Sequence, residues 1–385
     1  MLILSPRDRS KQFTKGVKGV VPPNCEPGPL LDTYERWLQE GLSPDLDPRR
    51  YDEWCEAFGL DYWPRSIVYR CGSASLYEET ILEETASTVV KRLANGAIRE
   101  ENKGSHGCIP HELRPAITTH AEWERYKQWM ALETPLPVAD DSQIQKFRQL
   151  CTNETQCLIM LAAGSLVGVI RDLLGFEAFV TMVYDDRDWL DDMFEAFCRA
   201  AEWQIRACGE NGIQIDGIHF WEDICYKNGP MMNPLHFHEM VVPRYRRIAN
   251  LAGHYGYDNI DVDSDGDITA LIDGWIEGEV TSFCPLEVQA GMDINILQRK
   301  YSGKVIFTGG IHKHRLTDGP AAIAKELERV RPAVEHGGYS PMLDHNVPAD
   351  VSLQNYVTYL KLRHDILGLG HNGTELNRLK NLYGI

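Results

Sequence analysis

The sequence predicts an α/β protein built on a (β/α)8 barrel, and three observations carry that expectation. From about residue 150 onward, short apolar runs alternate with amphipathic helical stretches. The runs are apolar on both faces, as strands of a parallel sheet buried between helices must be. Five successive runs, from IDGIHFWED onward, also end in or run directly into ionisable residues, and barrel strands carry their chemistry at that C-terminal end. A doubly wound sheet, assembled from the same units, is the runner-up.

In chain order the runs are CLIMLAAG (157–164), IDGIHFWED (215–223), DNIDVD (258–263), VTSFCPLEV (280–288), KVIFTGG (304–310) and GGYSPMLDH (337–345). Helices are expected between them, in HFHEMVVPRYRRIANLAGHYG and PAAIAKELERVRPAVEHGG. Pro320 falls at a first helical turn, where its missing N–H costs nothing, and Gly337 falls where a helix stops. The first 150 residues are less regular. TVVKRLANGAIREENK predicts a hairpin turning at Asn95-Gly96, and LLDTYERWLQEGL and HAEWERYKQWMAL predict amphipathic helices. No low-complexity linker and no repeat of 20–50 residues interrupts the chain. The expected organisation is one domain over 1–385. Residues 1–150 form an N-terminal elaboration with the first barrel elements, 151–370 the main βα units, and 371–385 a tail in which no chemistry is legible.

With 385 residues the chain is long enough for a large core. Its 39 basic and 56 acidic residues give a net charge of −17, which argues against nucleic acid or an anionic membrane as partner. No apolar run approaches the length of a transmembrane helix, and the opening MLILSPRDRSKQF is too short in apolar residues for a secretory signal. The ten cysteines have no regular spacing and read as reduced thiols of a cytoplasmic protein. A monomer or homodimer acting on a small molecule is expected.

The densest charge is DVDSDGDI, residues 261–268, with four carboxylates in eight positions. Its acids at positions 1, 3 and 5 and Gly at 6 imitate a calcium loop. Position 12 is Ile272, which cannot ligate, and the preceding GYDNIDV is strand-like rather than helical. The calcium reading fails, leaving a solvated turn or the edge of an active site. The other strand ends decide for the edge: Glu222 and Asp223, Asp263 and Asp265, Glu287, His312 and Lys313, and Asp344 and His345 recur at one end of successive units. Of Glu222 and Asp223, one is expected to orient the loop Tyr226-Lys227-Asn228-Gly229 and the other, Glu222 by preference, to face the ligand. Lys227 reads equally as a solvated lysine, and Glu287 as an acceptor for a neighbouring loop.

Blander readings suit the rest. His106-Gly107-Cys108 is a two-ligand fragment and reads as a surface loop. His236 and His238 are expected to meet a helix terminus or solvent, Met231 and Met232 to fill core space, and Cys225 and Cys284 to be unreactive.

The stretches GIHFWEDICYKNGPMMNP, DVDSDGDI, PLEVQAGMD, FTGGIHK and GGYSPMLDHNVPADVS resemble the uroporphyrinogen decarboxylase superfamily, in particular its uncharacterised bacterial branch. The resemblance is strong over 210–367 and weaker before. It implies a barrel with the active site in its mouth, and either decarboxylation or methyl transfer to a corrinoid protein. The decarboxylase relies on arginines in an N-terminal RQAGR motif. Here VKGVVPPNCEPGPLLDTYERW offers Glu26 and Asp32, and no paired arginines before Arg36. Acids facing a polyanion would add about 1–4 kcal/mol of repulsion per close contact. His312 stands where the branch usually has Asp, which leaves Lys313 as the safer candidate.

The corrinoid methyltransferases bind zinc through His-x-Cys on one strand and a later Cys. Asp263 and Asp265 occupy the first two positions, and the third falls near Leu343 or Asp344, so the thiolate site is absent. A harder set remains, Asp263, Asp265, Asp344 and His345, suited to zinc or another divalent metal. The expected reaction moves a methyl group from an O- or N-methylated small molecule to a corrinoid carried by a partner protein. Glu222, Asp265, Glu287 and Lys313 are the expected catalytic residues, and Trp221, Asp223, Tyr226, Lys227 and Asn228 the substrate-binding ones. The alternatives are a carboxy-lyase and a barrel that binds a small molecule without turnover.

Overall fold

A computed structural model describes residues 4–69, 76–103, 110–138, 140–152 and 155–385. Its strands are β1 (Arg65–Ile67), β2 (Thr80–Glu84), β3 (Thr88–Arg92), β4 (Ile98–Asn102), β5 (His111–Arg114), β6 (Ile159–Gly164), β7 (Gly217–Trp221), β8 (Cys225–Tyr226), β9 (Gly229–Pro230), β10 (Ile260–Asp263), β11 (Ser282–Leu286), β12 (Ile306–Ile311) and β13 (Tyr339–Leu343). Every apolar run named from the sequence overlaps one of these strands, β12 running one residue past its run to Ile311.

Seven of them form one parallel sheet, ordered β1-β6-β7-β10-β11-β12-β13. Each new parallel strand is added beside the last, with no reversal. A doubly wound sheet reverses direction at a switch point, so the runner-up is set aside and the fold is barrel-like α/β. The segment before the helix Leu31–Gln39 touches both edges of the sheet. Leu30 N donates to Val347 O (3.1 Å), beyond β13, and Asp61 N, ahead of β1, donates to Asn24 O (3.1 Å).

A buried ion pair fixes that segment. Arg363 and Glu26 are almost wholly buried, with Nε and Oε1 3.2 Å apart. Glu26 also accepts from Leu343 N at the end of β13 (3.1 Å) and from the Tyr359 hydroxyl (2.5 Å). Arg363 donates to Pro341 O (2.7 Å). Burial pushes the Glu26 carboxyl up, against the pull of Arg363 and the two hydrogen bonds.

Alternation along the strands separates core from mouth. Ile218, Phe220, Val262, Phe283 and Phe307 are fully buried. They face the helices: Phe220 packs on Tyr245 with ring centroids 5.3 Å apart, and Phe283 on Trp275 at 5.7 Å. His219 and Trp221 on β7, and Asp261 and Asp263 on β10, therefore point to the opposite, concave side.

The helix Pro320–His336 begins at Pro320 and stops at Gly337 (φ +89°), as expected. The predicted hairpin is β3–β4, closed by Gly96 N to Leu93 O (2.9 Å), with Gly96 at φ +100°, a conformation glycine adopts without steric cost. β2 and β5 extend it to a four-stranded antiparallel sheet. The C-terminal tail forms a helix, Thr374–Tyr383, whose Glu375 accepts from Ser43 N (3.0 Å). Among the described residues no helix is long and apolar enough to cross a membrane, and every cysteine is free. His106 and Cys108 lie outside the described residues.

Candidate active site

Asp261, Asp263 and Asp265 are spaced by two, so the first two share one face of β10. Opposite Asp261 stand His219 on β7 and Ser282 on β11; opposite Asp263 stand Trp221 and Cys284. These two rows cross the concave side, the second nearer the strand ends.

The deeper row is closed by hydrogen bonds. Asp261 Oδ2 lies 2.7 Å from His219 Nδ1, and Asp261 Oδ1 accepts from Ser282 Oγ (2.6 Å). Cys284 Sγ also approaches Asp261, at 3.7 Å. Burial opposes the Asp261 charge, but the His219 hydrogen bond and charge outweigh it, and the carboxyl is held below its usual range. Burial likewise works against charging His219; the bond to Asp261 and the charges of Asp261 and Asp263 prevail and raise its pKa. The other imidazole nitrogen, Nε2, lies 4.0 Å from Asp263 Oδ2.

At the strand ends the acids divide into two kinds. The first kind holds backbone. Glu222 is fully buried and accepts from Ser165 Oγ (2.7 Å), Leu166 N (2.9 Å), Val167 N (2.8 Å), Gly168 N (3.1 Å) and the Tyr245 hydroxyl. It takes the orphan amides that open the helix Gly168–Leu174. Asp344, 1% exposed, spends one oxygen on Val288 N and the other on Lys313 N, both at 3.0 Å. Glu287 Oε2 accepts from Gly266 N (2.9 Å), and Asp223 Oδ1 from Asp265 N (2.9 Å).

Asp263 and Asp265 are the second kind: among the described residues, neither carboxylate accepts a hydrogen bond. Burial, with Asp261, Asp223 and Asp265 nearby, pushes Asp263 up against the pull of His219. Burial, then the charges of Asp223 and Glu287, push Asp265 up to about 7, with Lys313 pulling the other way. A carboxyl in that state is half protonated at neutrality and is able to donate a proton.

These positions correct two expectations. Glu222 does not face a ligand, because its lone pairs are taken by protein donors; Asp223, the other member of the pair, is the one at the acid cluster. Asp223 sits at φ +43°, uncommon for a residue with a side chain. Asp344 likewise is turned to backbone amides, so the four-residue metal set Asp263, Asp265, Asp344 and His345 does not assemble as drawn. The group that does is Asp223, Asp263 and Asp265, with one oxygen of each within 4.8 Å of the others. Oxygen ligands at roughly 2.0–2.6 Å from a divalent ion span such a distance. His345 stands beside it, Nε2 3.9 Å from Asp265 Oδ2, its pKa lowered by burial and by Lys313.

Trp221 and Tyr226 are each about half exposed. Lys227 and Asn228 are exposed at the turn between β8 and β9. This hairpin is docked on the loop after β10: Asp267 N donates to Tyr226 O (2.9 Å). Gly266 (φ +85°) permits the approach, since a Cβ there would stand 2.7 Å from the Cys225 backbone. His236 and His238 lie on the helix Pro234–Met240 and face Glu239 and Glu277. Met232 and Cys225 are buried, as expected of packing residues. His312 donates its backbone N–H to Glu326 (2.9 Å).

His219 and Asp261 are the site residues that strand-end reasoning passed over, because both lie inside apolar runs. The signal that finds them is spacing by two, His219 with Trp221 and Asp261 with Asp263.

No protein-family model and no curated protein matches the chain. Among solved structures it is similar to a methyltransferase from Methanosarcina mazei, with a TM-score of 0.57 and 15% identity, over 94% of this chain and 99% of that one. At that identity the likeness is one of fold, extending over nearly the whole of both chains.

Proposed function

We propose that the protein is an enzyme of the uroporphyrinogen decarboxylase superfamily that moves a methyl group from a methylated small molecule to a corrinoid carried by a partner protein. In this reading the segment 23–30 stands in for the strand that completes a (β/α)8 barrel. The observation that carries the proposal is the pair Asp263 and Asp265, half-buried carboxyls at the strand ends that accept no hydrogen bond among the described residues and are both pushed well above the usual carboxylate range.

A methyl group bound to oxygen leaves with its bonding electrons on the oxygen, which then needs a proton. Asp265 supplies that proton, and the methyl carbon passes to the nucleophile brought by the partner. The carboxylate left behind sits beside Lys313, whose ammonium favours that charge. Glu287 and Asp223 hold the loop carrying Asp265 through Gly266 N and Asp265 N. Asp261 fixes His219 below Asp263.

The compact Asp223, Asp263 and Asp265 group supports a second form of the same reaction. A zinc or other divalent ion there would act as Lewis acid at the departing atom, in place of the proton. Elemental analysis of protein purified without chelators separates the two forms. Decarboxylation of a polycarboxylate gains no such support: Arg363 is buried against Glu26, and Arg171 is engaged by Asp172 and the Asp223 carbonyl. Methyl–cobalt formation from a panel of donors, with reduced corrinoid protein present, tests the proposal.

A further inference from the structure

We infer that the protein carries a second ligand site, remote from the mouth, that takes a small carboxylate with an apolar body. The site is a cleft of about 270 Å³ between the turn Phe58-Gly59-Leu60, the end of the helix Leu353–Leu367 and the helix Thr374–Tyr383. Its level in the fold separates it from the acids. Asn24, one of its lining residues, follows Pro23, whose carbonyl accepts from Ser340 Oγ (3.4 Å) near the start of β13. The mouth lies at the other end of the strands, and the inference is independent of the chemistry proposed there.

The cleft is built by the C-terminal tail. His371 N donates to Gly59 O (3.0 Å) and holds the tail on the turn. The approach is so close that a Cβ on Gly59 (φ +66°) would stand 2.1 Å from His371 O, and one on Gly373 2.3 Å from Ala57 O. The walls are apolar: Phe58, Leu60, Leu369 and Leu376 are each at most 7% exposed. A cavity of about 150 Å³ takes benzene, so this one has room for a ring and a substituent.

The polar side chains that line the cleft are all hydrogen-bond donors, and no aspartate or glutamate is among them. Two of the donors are deep: Asn24 is 2% exposed and Arg363 1%. Asn24 Nδ2 donates once, to Gly59 O (2.9 Å), and Arg363 Nη1 donates once, to Asn24 Oδ1. Each of these nitrogens carries a second hydrogen, which meets no acceptor among the described residues. Buried N–H groups of that kind call for an acceptor from a ligand.

Charge selects an anion. The Arg363 guanidinium is met by Glu26. His364 Nδ1 is 3.4 Å from Asp365 Oδ1, and His371 Nε2 is 3.7 Å from Asp61 Oδ1. Lys380, half-buried, pairs with no carboxylate among the described residues. One ammonium is therefore left over, enough for one carboxylate, with the apolar body of the ligand against Phe58 and the leucines.

Calorimetric titration of the intact protein tests this with benzoate, benzyl alcohol, benzylamine and inorganic phosphate. Benzoate should bind tighter than each of the others by about tenfold or more, the order that one charge-assisted hydrogen bond supplies. Lys380→Met keeps the apolar stem and should cost that factor while the circular dichroism spectrum stays unchanged. His371→Ala, at an exposed position, should weaken binding as well, and Asp265→Asn at the mouth should leave it as it is. Benzoate binding that is absent, that is unchanged in Lys380→Met or His371→Ala, or that falls with Asp265→Asn would overturn the inference. Benzyl alcohol or benzylamine binding as tightly as benzoate would remove the anion, and phosphate doing so would remove the apolar body; either overturns it.

Discussion

His219 and Asp261 form a clamped pair on the face of the parallel sheet turned away from the helices: Nδ1 and Oδ2 are 2.7 Å apart, with Ser282 Oγ on the other carboxylate oxygen at 2.6 Å. The clamp leaves Nε2 directed toward Asp263, 4.0 Å away. One row of the sheet thus supports the two carboxyls that carry the proposed chemistry.

Replacing Asp261 tests the clamp. Asp261→Asn removes the charge that raises the His219 pKa, so an NMR titration should show that pKa lower in the variant than in the parent. The linked stability has a definite sign. A raised histidine pKa contributes fully below the unfolded value near 6.5 and is lost as pH rises through the folded value. The stability gap between parent and variant should therefore narrow on that alkaline side. An unchanged His219 titration would mean that the pair is not coupled in solution.

Asp265, pushed up to about 7, sets the pH dependence. As a general acid it is active when protonated, so the rate of methyl transfer should fall as pH rises through about 7, and Asp265→Asn should lose that limb. Its folded pKa exceeds the unfolded value of roughly 3.9, so the native state binds the extra proton. Stability from this group is present below about 4 and falls as pH rises through about 7. Asp265→Asn should accordingly melt higher than the parent at pH 8, measured by calorimetry. A lower melting temperature there would contradict the burial of an unpaired carboxyl.

Glu222 is predicted to matter for folding. Glu222→Ala strands buried amides and hydroxyls and should cost about 3–5 kcal/mol in urea unfolding, in the range for removing one partner from a buried charged network. A variant of parental stability with no activity would return Glu222 to the chemistry.

The Glu26–Arg363 pair holds the segment that bridges the sheet edges. Arg363→Met leaves Glu26 buried without its charge partner, and a loss of about 3–5 kcal/mol is expected. A double variant, Glu26→Gln with Arg363→Met, should recover part of it; additive losses would show that the two residues act separately.

Much of the parallel sheet was legible because each strand is a short apolar run bounded by glycine or acids, and the hairpin was legible from Asn95-Gly96. The edge segment was not, since residues 23–30 carry no strand pattern and are held by Glu26 and Arg363, far apart in sequence. At the mouth, Asp263, Asp265 and Trp221 could be named from their strand-end positions. Which acids are free could not. Glu222 and Asp223 are adjacent and chemically alike, and only the loop after β6, 55 residues upstream of Glu222 at Val167, decides which one is consumed as a cap. Asp344 was misjudged for the same reason, its partners lying on two other loops. His219 was hidden in an apolar run whose alternation, not its composition, points it inward.

The most direct measurement is the absorbance of a reduced corrinoid protein mixed with this protein and a panel of methylated donors. Methyl–cobalt should form with at least one donor of the panel, and Asp265→Asn should slow it by roughly 10²–10⁴-fold, the range for losing a positioned acid. No methyl–cobalt from any donor, together with loss of carbon dioxide from uroporphyrinogen, would contradict the account and establish the carboxy-lyase instead.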